Sequence, residues 1–189
     1  MRKIIVSNLV SLDGFISGPN GEIDWFISIA DKEFEEYSVT QINSIDTMLF
    51  GRITYQLMES YWSVATTATD DQRIIDAMND SSKIVFSKTI DKAEWKNSRL
   101  VRENMIEEVS ELKKRSGKDI VIYGSGSLVS ALTQAEMIDN YRLYVVPVIL
   151  GSGKPLFNQV NNRINLELND TRKFNSGLVL LHYKKKEFA

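Results

Sequence analysis

A chain of 189 residues, 43% of them hydrophobic and 25% charged, has a globular make-up and enough length to bury one sizeable core. The net charge of −2, with both signs interspersed, leaves no basic face for nucleic acid, and the absence of cysteine excludes disulfides and thiol catalysis. No stretch is long and apolar enough to span a membrane, and polar residues interrupt the N-terminal run before a signal peptide could form, so we expect one cytoplasmic domain over residues 1–189.

In chain order, Lys3 to Leu12 reads as a first strand, turned by Asp13-Gly14. Phe15-Ile16 resumes an extended path, and Gly18-Pro19-Asn20-Gly21 is a strong turn. A helix is predicted from Asp31 to Ile42, with acidic residues in its early turns where the dipole favours them. A strand at Thr47–Phe50 leads through Gly51-Arg52-Ile53-Thr54 into a second helix reaching Trp62, and a third spans Asp71 to Asn79. Strands follow at Lys83–Phe86 and Leu100-Val101. Asn104 and Glu107 have the spacing of a capping box ahead of the next helix. Ile120 to Leu132 then reads as an apolar strand, a tight turn with Gly124 and Gly126, and a helix that Ser125 or Ser127 can cap. Tyr141 to Leu150 is another apolar strand, in which Pro147 suggests an edge position or a bulge. Ile164, Leu166 and Leu168 alternate as in a half-buried strand, and Leu178 to Lys184 closes an antiparallel hairpin. The pattern is α/β, strands alternating with helices until an antiparallel hairpin closes the sheet.

The chemistry gathers at strand ends. Glycines at a strand-to-helix turn let a ligand approach the backbone, and the helix start attracts anions. Taken alone, the Gly124 turn serves equally well as a plain structural turn. Gly51-Arg52-Ile53-Thr54, Ser87-Lys88-Thr89 and Asp13-Gly14 also follow apolar strands, where ligands collect in open α/β sheets. Arg52, Thr54, Ser87 and Lys88 offer donors suited to phosphate. With His182 as the sole histidine and no cysteine, no metal site is expected.

Ser11–Ile16 (SLDGFI), Leu49–Tyr55 (LFGRITY), Ser87-Lys88, Ile122–Leu128 (IYGSGSL) and Val146–Phe157 (VPVILGSGKPLF) resemble the dihydrofolate reductase-like superfamily. The nearer match is its branch with the reductase domain of riboflavin biosynthesis, here without a deaminase domain. The resemblance implies a three-layer fold around a mixed, mostly parallel sheet with a C-terminal antiparallel hairpin, and NADPH as cofactor. Carried over by position, Gly51, Arg52, Thr54, Ser87 and Lys88 would hold the 2′-phosphate side. Gly124, Ser125, Gly126, Ser127 and Leu128 would cradle the pyrophosphate, while Leu9 and Ile16 would border the nicotinamide. Asp13, Trp25, Phe34 and Tyr37 would touch substrate, with Glu33 as the acid and Asp31 its competitor. Glu33 is expected to face the cleft, its pKa raised by burial, with Glu35 and Glu36 toward solvent. The implied activity is reduction of a small nitrogen heterocycle or its ribosyl derivative, of the 5-amino-6-(5-phosphoribosylamino)uracil reductase type. The alternatives are dihydrofolate reductase-like activity on a pterin and a non-catalytic nucleotide-binding module. The family, with the apolar C-terminal strands, also implies a homodimer.

Overall fold

In the computed structural model, which describes residues 1–29 and 31–186, eight strands form one sheet. Six run parallel: β1 (Ile4–Ser11), β3 (Ile45–Gly51), β4 (Ser82–Phe86), β5 (Ser98–Val101), β6 (Asp119–Ile122) and β7 (Asn140–Val146). Two antiparallel strands, β9 (Leu166–Lys173) and β10 (Val179–Lys185), complete the order β5-β4-β3-β6-β1-β7-β10-β9. The short strands β2 (Phe15–Ser17) and β8 (Lys154–Pro155) pair separately.

The parallel strands are apolar on both faces because helices cover both. Ile4, Val6, Ile120 and Ile122 pack against α4 (Met105–Lys114) and α5 (Gly126–Gln134). Val121, Met48 and Phe50 point the other way, toward α1 (Lys32–Ile42), α2 (Arg52–Trp62) and α3 (Gln72–Asp80). The result is the three-layer α/β arrangement expected. Asp31 caps α1, accepting from the Phe34 N–H at 2.8 Å, and Asp71 caps α3 likewise through Arg73.

Several local expectations need correction. Pro147 lies just past β7, a central strand between β1 and β10, so it ends a strand rather than marking an edge or bulge. β9 is exposed at all eight positions instead of half-buried, and it pairs only with β10. Asn104 starts α4 in a left-handed conformation (φ 55°) without a side-chain cap, so the Asn104–Glu107 box does not form. Nor does Ser125 cap α5; its hydroxyl lies 2.9 Å from that of Ser127 instead.

One buried charge staples the α3 side of the sheet. Lys83 is fully buried, and its ammonium donates to the carbonyls of Asn79, Ser81 and Lys96 at 2.9, 3.0 and 3.0 Å. It also sits 4.3 Å above the Trp95 ring. Burial pushes its pKa down to about 8.

Candidate functional site

A cleft of about 1210 Å³ opens at the carboxyl ends of β1, β3 and β6, walled by α1, α2, α3 and the β8 loop. At its floor two strand-to-helix turns meet. α2 begins after Gly51 and α5 after Ser125, and neither helix has a side-chain cap, so their first N–H groups stay open to a ligand. The turns touch closely. A Cβ on Gly51 would come 2.5 Å from the Ser125 hydroxyl, and one on Gly126 would come 2.6 Å from the Pro155 carbonyl oxygen. Gly124 and Ser125 both have positive φ, 61° and 56°, and the Ser125 N–H donates to the Thr54 hydroxyl at 3.1 Å. That bond helps hold a backbone shape serine rarely adopts.

Arg52 stands beside this floor, exposed, its guanidinium making only a 3.4 Å bond to Gln56 within the described residues. Ile16, Leu9, Gly126 and Ser127 complete the lining here. Leu128 does not join them: its side chain is buried in the core beneath α5. Ser87 and Lys88 line a neighbouring hollow of about 470 Å³, with Arg102 and Asn104, and Phe86 borders both spaces. A ligand crossing the ends of β6, β3 and β4 in turn would therefore pass Gly124, Arg52 and Lys88.

The α1 wall departs from expectation. Glu33 is not in the cleft. Its carboxylate accepts from Arg172 at 2.9 Å and from the Asn175 N–H at 3.0 Å, and the Arg172 guanidinium holds its pKa below the usual carboxylate value instead of above it. Tyr37 shares that face, as helical spacing requires, but the face meets the β9–β10 turn; Arg172 stacks 4.9 Å over the Tyr37 ring. Asp31 borders the cleft, yet both its oxygens are engaged, by the Phe34 and Ser176 N–H groups. Phe34 does line the cleft, and beside it stands Glu35, on the cleft side of α1 and not toward solvent as its spacing predicts.

Trp25 and Asp13 lie outside the cleft. Trp25 packs edge-on against Phe26 and bonds the Glu22 carbonyl at 3.2 Å. Asp13 clamps the loop after β7, accepting from the Ser11 hydroxyl and from the Leu150 and Gly151 N–H groups. The Ser11 hydroxyl and these N–H groups lower its pKa.

The fold also brings in residues that sequence reasoning passed over. Asn8 lines the cleft with its Oδ1 buried and without a partner among the described residues. Such an orphan acceptor is costly unless a ligand satisfies it. Tyr123 and Tyr144 also line the cleft; burial pushes the Tyr123 hydroxyl up to about 12 and raises Tyr144 as well, so both stay protonated at neutral pH. A polar residue inside an apolar strand was the one available signal for Asn8.

The fold is of the dihydrofolate reductase-like class. The profile of the RibD C-terminal domain matches residues 2–180, and the chain belongs to that family. The uncharacterised protein YyaP of Bacillus subtilis (strain 168) is 39% identical over 182 residues, covering 96% of this chain and 94% of YyaP. A structure assigned to riboflavin biosynthesis, from Shewanella sp. PV-4, superposes with a TM-score of 0.78 at 20% identity, covering 98% of this chain and 99% of that one. Dihydrofolate reductase from Enterococcus faecalis, complexed with NADP(H) and RAB-propyl, gives a TM-score of 0.63 at 15% identity, covering 98% and 97%.

Proposed function

We propose that the chain is an NADPH-dependent reductase of a small nitrogen heterocycle or its ribosyl derivative, of the riboflavin-biosynthesis type, working in the cytoplasm as a homodimer. The observation that carries this reading is the meeting of two uncapped helix starts at Gly51 and Gly126, where added Cβ atoms would collide with the opposite wall. Such a floor suits a pyrophosphate. In this reading the N–H groups of Gly126 and Ser127 hold the pyrophosphate, and Arg52, Thr54, Ser87 and Lys88 hold the 2′-phosphate. Leu9 and Ile16 border the nicotinamide, and the orphan Asn8 Oδ1 accepts one of its N–H groups. Bound NADPH supplies a hydride for a C=N or C=O carbon of the heterocycle. The chain's part is orientation and exclusion of water between apolar walls, with the proton drawn from water or a wall carboxylate.

A second reading, a nucleotide-binding module without turnover, draws on the engagement of Glu33 by Arg172 of β9 and of Asp31 by the Ser176 N–H beyond it. NADPH oxidation with any member of a heterocycle panel supports the reductase; binding without oxidation supports the module. Arg52→Ala should weaken NADPH about 10-fold or more while leaving NADH nearly unchanged, since a charge-assisted hydrogen bond contributes about 1.5–3 kcal/mol. Fluorescence titration of both cofactors checks this, and equal losses would remove Arg52 from the 2′-phosphate.

The dimer is proposed from β9, an exposed strand at one end of the sheet order, with Leu166 and Leu168 among its exposed residues. Sedimentation should give twice the 21.5 kDa chain mass, and a monomer throughout the micromolar range would count against it.

A further inference from the structure

We infer that the sheet face beneath α1 carries an anion site, centred on Arg142 between Ser7 and His182, that takes a carboxylate at the inner end of the cleft. The site stands apart from the cofactor floor and does not depend on the reductase reading. Among the arginines of the described residues, only Arg2 and Arg142 are not exposed. Arg2 is engaged, donating to Asp46, Thr47 and the Lys118 carbonyl. Arg142 makes no ion pair and no side-chain hydrogen bond among the described residues, and its Nε is buried without a partner. A guanidinium carries five donors in a planar fork, and a buried donor left unpaired is costly until an acceptor satisfies it.

The strand register fixes what surrounds this cation. Ser7 of β1 and His182 of β10 are the Cα partners of Arg142, so the three side chains stand in a row on one face. Tyr144, two residues along β7, shares that face, and Tyr37 of α1 lies over it with ring centroids 6.5 Å apart. Ser7, Tyr123 and Tyr144 line the cleft, which places Arg142 at its inner end. These neighbours offer donors and few acceptors. The hydroxyls of Tyr37 and Tyr123 find no hydrogen-bond partner among the described residues, and the Asn140 amide oxygen already faces His182 Nε2 at 3.1 Å. Burial raises the pKa of all three tyrosines and lowers that of His182, and the Arg142 charge acts on each of the four as well. Asp170 is the carboxylate that bears on Tyr37 and His182; it is exposed on β9 opposite His182 and accepts from the Thr171 N–H at 2.8 Å. Lys3 adds a second positive charge on the His182 side, and Arg172 is paired with Glu33. A carboxylate entering here would accept from the Arg142 fork and from idle hydroxyls, in partly dry surroundings that strengthen both.

The same chemistry serves a free carboxylate and one carried by a ring in the cleft, and orotate, uracil and acetate tell the two apart. His182 is the sole histidine, so its imidazole resonances report on the site without assignment. In the wild type, orotate should move them saturably, at concentrations about 10-fold or more below those at which uracil acts. A bound carboxylate offsets the Arg142 charge, so the pKa of His182, held down by burial and then by Arg142, should rise. Arg142→Gln should raise it without any ligand and bring orotate and uracil within roughly 2-fold. Acetate as potent as orotate identifies a site for free carboxylates; orotate tighter than acetate identifies a ring substituent. No saturable response to either carboxylate, uracil acting as strongly as orotate, or a preference for orotate that survives Arg142→Gln would each overturn the inference. The wild-type titrations decide even if the variant fails to fold.

Discussion

Lys83→Ala is expected to lower the midpoint of thermal unfolding by roughly 6–20 °C, a larger effect than any surface substitution should produce. The ammonium spends all three donors on the carbonyls of Asn79, Ser81 and Lys96, and its stem fills space beside Trp95. Truncation would take a donor from three part-buried carbonyls and open a cavity, together costing about 3–5 kcal/mol. Lys83→Met keeps most of the volume and should recover only the cavity part. Calorimetry of the three proteins separates these effects, and an alanine variant that melts with wild type would mean the carbonyls find other donors.

Gly126→Ala should reduce NADPH affinity by about 10- to 100-fold and destabilise the fold by about 1–3 kcal/mol. The new methyl would stand 2.6 Å from the Pro155 carbonyl oxygen and 3.3 Å from that of Leu156, both backbone atoms that move only if the β8 loop moves. Because that loop and the start of α5 are opposite walls of the cleft, separating them displaces the donors proposed for the pyrophosphate. Titration and thermal melts should change together. Normal affinity in a normally folded variant would place the dinucleotide away from this turn.

These two residues also mark what could be read before the structure. Gly126 was a candidate because glycines at a strand-to-helix turn admit a ligand and other strand ends offered phosphate donors, and the α/β pattern followed from strands alternating with helices. Lys83 opened a strand and gave no sign of burial, since its partners are carbonyls of a neighbouring helix end and loop that no local pattern encodes. The α1 wall failed for a related reason. Spacing put Glu33 and Tyr37 on one face, and they are on one face, but it takes a partner to say which way a face points. Here the partner was the end of β9 and the turn after it, contributing Arg172 and Asn175 from about 140 residues away in sequence. With that face occupied, Glu35 turns to the cleft. Pro147 misled similarly: proline ends hydrogen bonding wherever it sits, and only the full strand order showed β7 to be central.

If the floor between Gly51 and Gly126 holds NADPH, a crystal structure of the chain grown with NADPH will show it there. The expected result is a pyrophosphate on the opening N–H groups of α5, the 2′-phosphate within reach of Arg52 or Lys88, and the nicotinamide between Leu9 and Ile16. A cofactor bound elsewhere, or a floor that stays empty at NADPH concentrations far above those of ordinary reductases, would contradict it.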